Sequence, residues 1–285
     1  NLFKASRRGH FQRLLAGVIR DRNNLNKEVD RLFGSSSSPG SIQVFWEQRQ
    51  DVTYGRFGKT QTFKANGILH IDSSRNADVE LIEQVLKFAF IMGGFGKSWR
   101  RASHEKFHKT YKKFEIGCHW ELPPMDRSWI QLKSIADLKS FLEEIHRSYS
   151  TKFGGGKAQA SDWREAWHPD RLSVYAVITT ESRAIDLFHD NIYKKTPAIG
   201  GKNPNDNRPK FISSVWHRML FIGDGRFLEI VTVFHAKGDD WKHQSQGNQL
   251  NKFIQSLKEK DFSFVWGNNN PTISSSQQSI PRLRR

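Results

Sequence analysis

Apolar residues recur along this chain at two spacings, and the switches between them mark out its elements. Phe11, Leu14, Leu15, Val18 and Ile19 share one face at helical spacing, which predicts a helix over residues 10–19. Residues 41–46, Ser-Ile-Gln-Val-Phe-Trp, alternate and predict a strand, as do residues 63–71. Val79, Ile82, Val85, Leu86, Ala89 and Phe90 return to the helical period over 78–92, and residues 112–120 predict a further strand. Helix, strand, strand, helix, strand is the ferredoxin-like order β-α-β-β-α-β with its first strand absent or upstream of Asn1.

The second half reads as a looser copy. Ile135, Leu138, Phe141, Leu142 and Ile145 stripe a helix over 134–149, and residues 171–180 form an apolar strand. Strands over 211–220 and 227–235 hinge at Gly223-Asp224-Gly225 as a hairpin, and a last helix covers 249–258. Gly154-Gly155-Gly156-Lys157 reads as a linker. The expectation is therefore an α+β protein of tandem ferredoxin-like, RRM-like domains, with antiparallel sheets and helices on one face. Its domains are residues 1–153 and 154–267, followed by an extended basic tail over 268–285.

Gly93-Gly94-Phe95-Gly96-Lys97-Ser98-Trp99-Arg100-Arg101 joins glycines to cations, a hydroxyl and an aromatic ring. Glycines let backbone N–H groups approach an anion, and Lys97, Arg100 and Arg101 supply charge. A nucleotide-triphosphate loop would need glycine where Ile91 stands and a strand before it, and Trp99 occupies the third glycine of a dinucleotide fingerprint. Both readings fail. A helix C-cap followed by a solvated basic turn is the other reading.

Charge sharpens the choice of partner. With 45 Lys+Arg against 29 Asp+Glu, the net charge is +16, the footprint of a polyanion partner. Cys118 is the single cysteine, so there is no internal disulfide or thiolate cluster, and a reducing, cytoplasmic setting is expected. Cys118 itself reads as a small strand hydrophobe. No apolar run approaches the length of a membrane span, and no secretory signal opens the chain.

Three segments taken together resemble the RAMP superfamily of CRISPR-associated proteins. Residues 5–14, Ala-Ser-Arg-Arg-Gly-His-Phe-Gln-Arg-Leu, are similar to the pattern opening the family's first helix, and run on to the Arg31-Leu32-Phe33-Gly34-Ser35 turn. The 93–101 segment resembles its glycine-rich loop, and residues 208–216, which include Lys210 and Trp216, resemble the basic strand of a second RAMP half. The arrangement is similar to type III subunits, both backbone-like and two-domain guide 3′-end ones.

The resemblance implies that Arg7, Arg8, Arg13 and the loop (Gly93, Gly94, Gly96, Lys97, Ser98, Trp99, Arg100, Arg101) face RNA. Without it, the arginines are solvated helix charges. His10 reads as a capping or RNA-contact residue, or as the acid or base of a metal-independent enzyme processing precursor guide RNA. Trp216, His217 and Arg218 either stack on and clamp an unpaired base or belong to an alternating strand with Trp216 buried.

Asp21 and Asp30 read as helix-end or salt-bridge residues, so no catalytic acid is assigned. His104 with His108, and His235, Asp239, Asp240 and His243, fit no ligand motif and read as solvated polar faces. No metal or cofactor is expected. The expected function is a noncatalytic subunit contacting guide RNA (crRNA) and target RNA, partnered by other RAMP subunits and a large polymerase-like subunit, with no membrane.

Overall fold

The computed structural model describes residues 2–57, 60–73, 79–93, 101–110, 116–155, 159–199, 214–235, 238–243 and 246–271. The first half runs α1 (Leu2–Ala16), α2 (Arg22–Phe33), β1 (Ile42–Gln48), β2 (Thr53–Phe57), β3 (Thr60–Lys64), β4 (Gly67–Ser73), α3 (Val79–Met92) and the one-turn α4 (His104–Phe107). After α5 (Ile135–Gly154) come β5 (Leu172–Thr179), α6 (Ile185–His189), β6 (Val215–Gly223), β7 (Arg226–Phe234), the short β8 (Lys242–His243) and β9 (Gly247–Asn248), α7 (Leu250–Glu259) and β10 (Ser263–Gly267).

Local chemistry sets several of these boundaries. Asp21 caps α2 by accepting from Asn24 N–H at 2.8 Å. Ser134 and Asp137 form a reciprocal capping box at the start of α5, which stops at Gly155 in the left-handed region. The tight β6–β7 turn needs positive φ at both central residues, and Asp224 (52°) and Gly225 (68°) provide it.

β5, α6, β6, β7, α7 and β10 follow one another in ferredoxin-like order, and their antiparallel sheet runs β10-β5-β7-β6. The first half differs from the expected second copy. β1 pairs directly with β4, and the β2–β3 hairpin is inserted between them. Phe63 and Lys64 therefore fall in β3 and the remainder of the expected 63–71 strand in or before β4. α2 was not anticipated, although Leu25, Val29, Leu32 and Phe33 bury one face of it. Of the 112–120 strand, residues 112–115 lie outside the described residues, and Cys118 makes an isolated bridge to Ala102.

The four-stranded sheet carries helices on both faces, where one was expected. Strand periodicity sends Leu172, Val174, Ala176, Trp216, Leu220, Leu228, Ile230 and Phe234 into a core shared with α1, α3 and α5. The alternate residues Tyr175, Val177, Val215, Met219, Val231 and Val233 pack with α6 and α7. First-half helices thus cover the open face of the second-half sheet. Among the described residues, no helix is long and apolar enough to cross a membrane.

Candidate nucleic-acid interface

The basic segment after α3 has its two described ends, Gly93 and Arg101, against the same strand. Gly93 closes α3 at φ +67°, its N–H donating to Ala89 O at 3.1 Å. A Cβ placed there would stand 3.3 Å from Arg218 Cδ on β6. Arg218 Nε donates to Phe90 O at 3.1 Å, filling one of the carbonyls that a helix leaves unpaired at its C-terminus, and Nη2 donates to Trp120 O at 2.8 Å. At the other end, Arg101 Nη1 donates to the carbonyl of Val215 and Nη2 to Ile199 O at 3.3 Å, with the guanidinium 4.3 Å from the Phe188 ring centroid.

A short ladder fixes the chain beyond Arg101. Cys118 N–H donates to Arg101 O at 3.1 Å, Ser103 N–H to Cys118 O at 3.0 Å, and His104 N–H to Ile116 O at 3.0 Å. Burial pushes the Cys118 thiol up to about 11, so it stays protonated, and pulls the Arg218 guanidinium down to about 10. Gly94, Gly96, Lys97, Ser98, Trp99 and Arg100 lie outside the described residues, as does Lys210.

Most of the other expected contact residues are spent inside the protein. Arg13 is buried, and its Nε donates to Glu165 Oε2 at 2.8 Å while Arg164 holds Oε1 of the same carboxylate at 2.7 Å. Arg7 is buried too, and desolvation lowers its guanidinium to about 10. Arg8 is half-buried, donating to Asp30 Oδ1 at 2.5 Å and Gly34 O at 2.6 Å, where it ties α1 to the end of α2. His10 is fully buried edge-on to Phe88 and Trp216, out of reach of an RNA hydroxyl.

The proposed base clamp on β6 is corrected by strand periodicity. Trp216 and Arg218 point to one face of the sheet and His217 to the other, so they cannot grip one base together. Trp216 is fully buried, and Arg13 lies over its ring at 5.1 Å. His217 is buried 2.8 Å from Glu229 Oε1. Burial drives Glu229 upward, but bonds from His217, Arg183 N–H and Ser182 outweigh it and leave the carboxyl below its usual range. Arg101 and Arg218 act on the loop's ends from within.

Over most of its length the chain superimposes on a solved structure, apo Cmr1 from Pyrococcus furiosus. The TM-score is 0.58 at 13% identity, covering 93% of this chain and 90% of that one. The fold is Cmr1-like. No known protein family and no curated protein matches the sequence.

Within this Cmr1-like fold, no group of three or more His, Cys, Asp or Glu side chains among the described residues could hold a metal ion. Of the histidines read as solvated, His104, His235 and His243 are buried instead: His104 Nδ1–H donates to Ala102 O (3.0 Å), and burial holds it down to about 3 and His235 to about 4. Asp240 is tied to Arg164 and Ser214.

One exposed feature escaped the sequence reading. Phe45 on β1 is 57% exposed and stacks on its cross-strand partner His70, with centroids 4.4 Å apart and planes 1° from parallel. The signal was present in the alternation, because Phe45 shares its side of the strand with Ser41, Gln43 and Glu47 while Ile42 and Val44 take the other.

Proposed function

We propose that the chain is a noncatalytic RNA-binding subunit of a type III CRISPR effector complex. It holds guide RNA, or the guide–target duplex, chiefly by its phosphates, while base pairing supplies sequence specificity. The Cmr1-like fold supports this reading, since Cmr1 is a RAMP subunit of type III systems, and it agrees with the RAMP-like motifs of the sequence. The second half then serves as one ferredoxin-like unit and the first as its diverged partner, with other RAMP subunits and a polymerase-like large subunit as neighbours.

The observation that carries the proposal is the double anchoring on β6. Seven residues, 94–100, carry Lys97, Ser98 and Arg100; Arg101 at one end bonds to Val215 of β6, and at the other Arg218 of β6 bonds to Phe90 O in the last turn before Gly93. A basic segment rooted this way loses less conformational entropy on meeting a polyanion than a free loop does. Arg101 serves the root and leaves Lys97 and Arg100 as the phosphate contacts.

The test is the salt dependence of RNA binding. Replacing Lys97 and Arg100 together by Ala is expected to weaken binding and flatten the log–log salt slope by about 0.7 per lost contact on single strands. An unchanged slope would assign the loop to capping α3 alone. Recovery of the chain from its host with guide RNAs and other RAMP subunits checks the assembly, and recovery with precursor repeats trimmed at one site would count against it.

A further inference from the structure

We infer that Phe45 and His70 form a stacking platform for one unpaired nucleobase of single-stranded RNA, an inference that rests on the RNA-binding reading above but uses a different surface. The two rings stack face to face, in register on β1 and β4 and nearly parallel, on the sheet face opposite the core. Ile42 is buried and Val44 and Ile71 pack on the core from the other face, so the ribbon beneath the rings is fixed.

The imidazole is also held in place. His70 Nε2 lies 2.7 Å from Glu47 Oε2, and Glu47 Oε1 meets Arg49 Nη2 at 3.0 Å. A hydrogen-bonded chain of three side chains therefore sets the plane of the ring on which Phe45 lies. Such preorganisation suits a flat aromatic ligand, because little rotamer freedom is left to lose when it binds.

Chemistry separates a base from a protein partner here. The large apolar side chains exposed on this face, among the described residues, are Phe45 and Ile68. Two such side chains do not make the apolar centre that a protein interface has. One base needs only one ring face, and its π-surface is recognised whatever its sequence. The chain's charge of +16 favours a polyanion. Arg49 leads into the β2–β3 hairpin at one end of the platform, where a phosphate fits. Glu47 is paired with Arg49, and Asp72, which accepts from Ser73 N–H at 2.8 Å, lies at the opposite end with Gln43, where a base edge carrying N–H donors fits.

The experiment uses the full chain and a short single-stranded RNA containing 4-thiouridine, irradiated and mapped by mass spectrometry, beside affinity measurements over a range of salt. A cross-link on Phe45 or His70 is expected. Phe45→Ala should lose that cross-link and about tenfold in affinity with the salt slope unchanged, and Phe45→Tyr should restore both. If wild-type chain binds RNA with steep salt dependence but shows no such cross-link, and Phe45→Ala binds equally well, the platform is overturned while the RNA-binding reading stands. If wild-type chain binds no RNA, that reading fails and the platform with it. Loss of a co-purifying protein from Phe45→Ala, with RNA affinity intact, would make this face a protein contact and overturn the inference. Should Phe45→Ala melt lower than wild type, Phe45→Leu, which keeps bulk without a flat ring, decides the question: it should bind as weakly as the alanine variant.

Discussion

Arg218 donates from Nε to the carbonyl of Phe90 across 3.1 Å, so a cation on the second-half sheet closes a helix of the first half. Nη2 is occupied by Trp120 O, Phe90's ring centroid lies 5.2 Å from the guanidinium carbon, and Nη1 makes no hydrogen bond among the described residues. Arg218→Ala removes the donor from two part-buried carbonyls and is expected to cost about 3 kcal/mol in urea unfolding. Arg218→Lys retains charge without the fork and should fall between the two. A loss under about 0.5 kcal/mol for the alanine variant would sink this account.

Gly93 meets two demands at once. Its φ of +67° disfavours any side chain, and a Cβ would press on the Arg218 stem at 3.3 Å. Gly93→Ala should cost about 1–2 kcal/mol, measurable as a lower Tm. An unchanged Tm would mean that the helix end relaxes freely.

Glu165 compensates two arginines in a dry setting, with Arg13 buried and Arg164 nearly so. Glu165→Ala strands Arg13, leaves Arg164 with Asp240 alone, and is expected to cost about 3–5 kcal/mol. The double variant Arg13→Ala with Glu165→Ala should lose less than the sum of the singles. Strict additivity in that cycle would show that the pair is not coupled.

Acid should loosen the fold well before its carboxylates protonate. Burial holds His104 to about 3 and His119 and His235 to about 4, with Arg218 adding to the effect on His119 and backbone contacts opposing it at His104 and His235. Unfolded imidazoles titrate near about 6.5, so between there and about pH 4 the unfolded chain binds more protons than the folded one. Stability is then lost as pH falls, by up to about 1.4 kcal/mol per pH unit for each histidine. Glu229, lowered in the fold, adds a further loss below about pH 4.3. The expected result is a Tm several degrees lower at about pH 5 than at about pH 7.5, and a flat profile would contradict the burial of these rings.

What could be read from the sequence was what local periodicity carries. The α3 stripe, the capped α5 and the Asp224-Gly225 hairpin are each set by neighbours within a few residues, and each was legible. Trp216 was ambiguous because its burial depends on helices more than a hundred residues upstream, which cover a sheet face that a lone ferredoxin-like unit would leave open. Arg13 looked like a solvated or RNA-facing cation because Glu165, its partner, stands 152 positions away. The reverse holds for Phe45: alternation placed it on the polar side of β1, but nothing local revealed His70 as the ring beneath it.

Trp167 lies between Trp216 and Trp266, with ring planes 27° and 9° from parallel, and Phe88 of α3 meets it edge-on at 4.6 Å. Three indoles stacked where α1 and α3 dock on the sheet couple electronically, which makes this junction an optical reporter native to the chain. Near-ultraviolet circular dichroism will register the separation of the sheet from its covering helices even while each keeps its own backbone hydrogen bonds.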